Sequence, residues 1–267
     1  MSDYLGDFLG EMLFYWTKDK GGDITIYNDL CYSLSLNEKK KDITFSSPIC
    51  VRISQSLNLN SNQLAKEIVD IYEQNKSIYS SNLIIINANN GWLELTLTKY
   101  FLSRYLVNLS QYCLNNDYLN IAKKHAYFKY IYIYCRICSL LRSAHEQRII
   151  QLNNLDFCLN KWNVIDLENN IFTNLIYTNN RDLALIKNMI YCLEVTFKKS
   201  NKVNYFSVLD KMYQGLVHWE KNCRIWGQVK QENISLARAR LGLGAIALRY
   251  YQNLCKSVFI EEFPTEL

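Results

Sequence analysis

Helix and sheet breakers are scarce in these 267 residues. Average usage would place roughly 19 glycines and 13 prolines in a chain of this length; it has 9 and 2. Few breakers mean few tight turns, which disfavours a sandwich or barrel of many short strands. Uninterrupted apolar runs are also missing. The longest approach to one, residues 131–141, is broken by Arg136 and follows Lys129, so no membrane span is expected. The opening MSDYLGDFLGEM carries three acids before any base and lacks the basic region of a secretory signal. Disorder is disfavoured as well, because 49% of the residues are apolar.

Catalytic signatures are absent too. The three histidines, His125, His145 and His218, form no H-x-x-H pair of the kind that grips ATP in class I synthetases. There is no G-x-G-x-x-G after a strand, no G-x-x-x-x-G-K-[ST] and no G-x-S-x-G. The run KKSNK over 198–202 reads as low-complexity lysine, not as a K-M-S-K-S loop. Nine cysteines is an odd number with no recurring spacing, which points to reduced thiols and an intracellular protein. Cys135 and Cys138 form a C-x-x-C with His145 seven residues on, but the surroundings are helical and apolar, and a zinc site needs four ligands. Two buried thiols are the expectation, with no metal and no cofactor.

What is present divides in two. Residues 1–107 carry 10 Lys and Arg against 12 Asp and Glu; residues 108–267 carry 20 against 13. An anionic partner would therefore dock on the back half. The same excess also fits an ordinary solubilising surface. In the front half, Tyr4, Phe8, Met12 and Tyr15 have helical spacing, and Gly21-Gly22 breaks the pattern. Residues 24–36 fit strand or helix, and residues 37–42 read as a loop. Pro48 opens an apolar stretch over 49–57, and Ser61 can cap a helix bearing Leu64, Ile68, Ile71 and Tyr72. Residues 83–86 and 92–97, joined by Asn89-Asn90-Gly91, read as an antiparallel hairpin with Leu93, Leu95 and Leu97 on its buried side. From residue 99 the helical period dominates. Helices are expected near 99–115, 117–150, 153–168, 181–200, 202–222 and 234–258, with a domain boundary near 107–117. The expected fold is mainly α: a small α+β domain over 1–107, then an all-α helical bundle over 118–267.

The segment IYIYCRICSLLRSA over 131–144 resembles the Q-Y-A-H-A-R-I-x-S-I-x-R-K-A segment that opens the DALR anticodon-binding domain of arginyl-tRNA synthetase. Arg136 and Arg142 fall on its two arginines, and Tyr134 replaces its histidine. ARARLGL over 237–243 and FPTEL over 263–267 resemble that domain's final helix and A-P-E-x-M tail. LNLNSNQL over 57–64, AKEI over 65–68 and GWLELTL over 91–97 resemble the helix and hairpin of the same enzyme's N-terminal additional domain. Only about twenty residues separate the two parts, where the synthetase holds its whole catalytic domain. The resemblance implies a stand-alone, non-catalytic protein of this family, with tRNA as partner and a bacterial cytosol or plastid stroma as its place. It implies no small-molecule substrate. A protein partner through residues 1–107, on a scaffold that has lost RNA binding, is the second reading. An active arginine-tRNA ligase is a third, and it lacks an ATP site.

The last helix offers a test independent of the family. Ala239, Leu243, Ile246, Ala247, Tyr250 and Leu254 form a core stripe at 100° per residue, while Arg238, Arg249 and Lys256 align elsewhere with Gly242, Ala245 and Gln252. Such a line could be a basic ridge that lets a phosphate backbone approach, or simply a solvated face. Trp219, Arg224, Trp226 and Tyr251 are candidates for stacking on unpaired bases, with burial favoured for the two tryptophans. Arg136 and Arg142 could pair with carboxylates instead of tRNA. The candidate tRNA contacts are thus Arg136, Arg142, Arg224, Trp226, Arg238, Arg249, Tyr251 and Lys256. Arg52, Lys66 and Lys99 are too sparse to make a patch.

Overall fold

The computed structural model describes residues 1–20, 31–75, 84–111, 125–157, 162–165, 167–168, 170–178, 180–197, 203–259 and 263–266. The glycine pair at 21–22, most of the ambiguous 24–36 segment, the lysine run at 198–202 and Leu267 lie outside the described residues. The chain is mainly helical with a small antiparallel sheet. It divides into two units, Met1–Phe101 and Leu102–Leu267, so the division falls ahead of the expected 107–117 region. Counted over these units, the first holds 9 Lys and Arg against 12 Asp and Glu, and the second 21 against 13.

The first unit begins with α1 (Ser2–Lys20), followed by β1 (Ser35–Leu36), β2 (Thr44–Ser47), α2 (Ile49–Leu57), α3 (Ser61–Gln74), β3 (Ile84–Asn89) and β4 (Trp92–Leu97). The sheet order is β1-β2-β4-β3, antiparallel throughout. The expected hairpin is present in register, Asn89 opposite Trp92 and Ile84 opposite Leu97. Its turn needs positive φ at both central residues, Asn90 (49°) and Gly91 (78°). A Cβ on Gly91 would also stand 2.6 Å from Ser61 Oγ, so only glycine fits there. Leu93, Leu95 and Leu97 face the core and Trp92 faces out, as alternation requires.

The short strand β1 closes the 24–36 segment that fitted strand or helix, and β2 was not expected. TFSS over 44–47 is too short to show a period, and β2 exists because Phe45 pairs with Leu95 across the sheet. In α1 the buried stripe is Leu5, Phe8, Leu9, Met12, Leu13 and Trp16, while Tyr4 is exposed. The expected aromatic stripe is therefore rotated toward the leucines. The cap of α3 is Asn60, not Ser61: its Oδ1 accepts from the amides of Asn62 (2.9 Å) and Gln63 (3.1 Å). Asn60→Ala should cost about 1 kcal/mol in urea unfolding; an unchanged midpoint would show the cap to be idle. Helix α3 is held to the sheet by Tyr72, whose hydroxyl donates to Ile84 O, and to α1 by Trp16 Nε1, which donates to Glu67 Oε2 at 2.9 Å.

In the second unit follow α4 (Lys99–Gln111, entering from the first), α5 (Phe128–Glu146), α6 (Thr173–Thr178), α7 (Asn180–Phe197), α8 (Tyr205–Asn222), α9 (Gln228–Glu232) and α10 (Ile234–Val258). Helices α5, α6, α7, α8 and α9 all pack on α10. Of its 25 residues 21 are buried, which makes it a central helix enclosed on every side. Gly242 and Gly244 allow that enclosure: a Cβ on Gly242 would meet Leu167 and Phe172, and one on Gly244 would meet Trp219.

Among its described residues, the expected helix at 153–168 is not formed. Leu152 and Val164 make an isolated antiparallel bridge. Asparagine side chains take over the local amides: Asn154 Oδ1 accepts from Asp156 N, Asn153 Oδ1 from Asn163 N, and Asn163 Oδ1 from its neighbour Val164 N. This competition is why asparagine-rich segments leave the helix despite apolar content.

Candidate nucleic-acid interface

The final helix does not present a basic ridge. Arg249 is only 6% exposed and its guanidinium donates to Ser110 O and, at 3.4 Å, to Asn163 Oδ1. Gly242 and Ala245 are buried, and Gln252 Nε2 donates to Phe157 O. The line of Arg238, Arg249 and Lys256 is therefore neither a ridge nor a solvated face, because neighbours cover α10 on both faces. Tyr251 is fully buried, its hydroxyl donating to Tyr130 O at 3.2 Å; it cannot stack on a base. Burial pushes its phenol well above the usual range. Arg238 and Lys256 are half-buried on α10.

Arg224 is exposed and Trp226 half-buried, in the α8–α9 connection. Arg224 O accepts from Arg240, and Lys230 Nζ lies 5.9 Å from the Trp226 ring. Arg142 is tied to the chain's own tail: it donates to Thr265 O at 2.9 Å, pairs with Glu266 at 3.5 Å and lies 5.1 Å over the Phe157 ring. Cys135 donates to Pro264 O, and Cys138 is buried. Among the described residues no three His, Cys, Asp or Glu side chains gather where a metal ion could be held, and all described cysteines are buried, with no disulfide between them. No described helix is long and apolar enough to cross a membrane.

Arg136 stands apart from these. It is exposed on the outer face of α5 and pairs with Glu220 at 2.9 Å. That hydrogen bond raises the guanidinium further above its ordinary value. A surface pair of this kind contributes at most about 1 kcal/mol and is readily exchanged for a phosphate. Along the same face, at i−4 and i−8, stand Tyr132 and Phe128, 48% and 68% exposed, with ring centroids 6.2 Å apart. Tyr127, 56% exposed, precedes them at the N-cap. The signal for this stripe is in AYFKYIYIYCR over 126–136, where rings and cations recur at helical spacing. Of the stripe, the sequence reading had picked out Arg136 alone.

Behind the stripe, α5, α7 and α8 enclose a groove of about 990 Å³ lined by Tyr127, Lys129, Asn188, Phe206, Asp210 and Lys211, among others. An aromatic cluster fixes its wall: Tyr130 packs edge-on against Phe206 and Tyr213 and lies 5.4 Å from Phe259. Asp210 accepts from Lys129 Nζ (3.0 Å), Tyr130 OH (2.8 Å) and Gln214 Nε2 (2.8 Å). Burial alone would raise its carboxyl, but these donors outweigh burial and hold it below its ordinary 3.8. Because the folded value is depressed, the stabilisation is complete above the unfolded value and fades as pH falls through the folded one. The stability gap between wild type and Asp210→Asn should therefore be constant from about pH 5 to 8 and shrink below about pH 3.5. Urea unfolding of both proteins checks this, and a gap that persists to about pH 2 would contradict it.

The interior of the unit is organised by one buried ion pair. Asp182 on α7 is fully buried; its carboxylate accepts from Arg240 Nε at 3.0 Å and from Trp219 Nε1 at 2.9 Å. This joins α7, α8 and α10 at a single carboxylate, and beside it burial pushes the Cys223 thiol up to about 12. Arg240 lies within the ARARLGL segment that carries part of the resemblance, and it serves the core.

No protein family, curated protein or solved structure matches this chain.

Proposed function

We propose that this chain is a non-catalytic tRNA-binding protein of the arginyl-tRNA synthetase-like type, with its helical unit as an anticodon-binding domain. The reading is carried by the outer face of α5, where Tyr127, Phe128, Lys129, Tyr132 and Arg136 set exposed rings beside exposed cations. Unpaired bases stack on such rings, and the cations meet the backbone between them. Two further facts support it. Tyr132 and Arg136 of the stripe lie in the segment that carries the family resemblance, and the unit that bears it holds 21 Lys and Arg against 13 Asp and Glu. The roles first assigned to Arg249 and Tyr251 pass to Lys129 and the ring pair of α5.

Titration of the full chain with total tRNA at two salt concentrations tests the reading. Affinity should fall steeply with salt, by roughly one unit of log–log slope per phosphate neutralised. Absence of binding at low salt would favour the second reading, an interaction module. That reading draws on the first unit, with its net of three acids and its exposed Tyr4, Phe14, Ile85 and Trp92.

A further inference from the structure

We propose that the groove between α5, α7 and α8 is a nucleotide site, with a base laid against Tyr127 and Phe206 and one phosphate held by Lys129 and Lys211. The choice of ligand class rests on the RNA-binding reading; the site itself rests on the groove's own geometry. Its volume of about 990 Å³ is at the upper end of what ligand pockets enclose. Its two cations are placed in advance. Lys129 Nζ donates to Asp210 Oδ1 at 3.0 Å, which fixes its position at the groove. Lys211 Nζ is seated 3.6 Å from the centroid of the Tyr191 ring. Side chains already restrained lose less freedom on binding, which favours affinity.

The rings of Tyr127 and Phe206 meet edge-to-face at 6.4 Å on the same wall, a surface suited to a planar heterocycle. Asn188, Ser207 and Gln214 line the groove as well and supply hydrogen-bonding groups for a base edge or ribose. A planar ring, one anion and several polar groups together describe a nucleotide. The charge balance narrows the choice. Asp210, beside Lys129, repels the added charges of a triphosphate, which favours a single phosphate or phosphodiester. Such a nucleotide has two sources, a free mononucleotide or an unstacked residue within RNA.

Calorimetric titration of the full chain with AMP, CMP, GMP and UMP, each alone, with ATP, and separately with total tRNA decides the matter. Wild type is compared with Lys129→Gln, Lys211→Gln and, as a control for charge alone, Lys66→Gln in the first unit. The lysines are at least partly exposed, so the variants keep the fold. At least one monophosphate should saturate, more tightly than ATP. Either groove variant should weaken it about tenfold, the loss of one charge-assisted hydrogen bond, with Lys66→Gln neutral. If tRNA displaces the mononucleotide, the RNA residue is the occupant; if both bind at once, the free nucleotide is. The groove is overturned if no mononucleotide saturates and both groove variants bind tRNA as wild type does, and that result leaves the stripe's Phe128, Tyr132 and Arg136 standing. Mononucleotide binding without tRNA binding has the opposite meaning: the groove stands and the RNA reading fails.

Discussion

Replacing Asp182 with Ala should destabilise the helical unit by about 3–5 kcal/mol, the largest effect expected of any single substitution described above. The reason is what remains behind. Arg240 would keep its charge with only 6% of its side chain exposed, and Trp219 would keep a buried N–H with no acceptor. A buried charge that loses its partner is far costlier than the pair itself is beneficial. This asymmetry gives a sharper test than the single variant. Asp182→Leu combined with Arg240→Met removes both charges and should recover most of the loss, although Arg240 also donates to Arg224 O. Asp182→Asn keeps an acceptor for Trp219 and should lie between. Urea unfolding followed by tryptophan fluorescence reports on the site directly through Trp219. A cost below about 1 kcal/mol for Asp182→Ala would mean that water reaches the carboxylate and that the pair is a surface one.

Removing both rings of the α5 stripe, Phe128→Ala with Tyr132→Ala, should weaken tRNA binding more than any single charge change. Base–aromatic stacking is worth about 1–3 kcal/mol per base, so each ring should count for roughly fivefold to a hundredfold in affinity. Both side chains are exposed, and their truncation should leave stability within about 0.5 kcal/mol. Arg136→Gln should act differently. It should reduce the salt slope by about one unit while leaving most of the affinity at low salt. Its partner Glu220 stays on the surface, so no buried charge is stranded. Affinities unchanged in the ring variant, measured by gel shift against wild type, would remove the stripe from the function. A reduced slope in Arg136→Gln alongside neutral ring variants would indicate phosphate attraction without base stacking.

Local features were legible wherever a short-range rule controls the outcome. The Asn90-Gly91 turn, the alternation of Leu93, Leu95 and Leu97 and the span of α10 all follow from neighbours a few residues apart. The described part of residues 153–168 departs from the expected helix because the reading followed the helical period, while the asparagine side chains competed for the local amides. The site was half legible. Arg136, named as a candidate contact that could instead pair with a carboxylate, is exposed and pairs with Glu220, while Phe128 and Tyr132 were not singled out, because rings at helical spacing more often pack in a core.

Arg249, Tyr251 and Arg240 show the limit most clearly. Helical periodicity states which residues of α10 share a face, and that grouping was right. Whether a face meets water depends on how many helices pack around it, which is a property of contacts between residues such as Arg249 and Ser110, 139 positions apart. The sequence alone thus determined the mainly helical character, the elements with a clear local period such as the β3–β4 hairpin and α10, and the distribution of charge, because these depend on local spacing and composition. The tertiary structure alone decided which arginines are structural and which are exposed. The free energy of a charge depends on the solvent left around it, and only packing sets that.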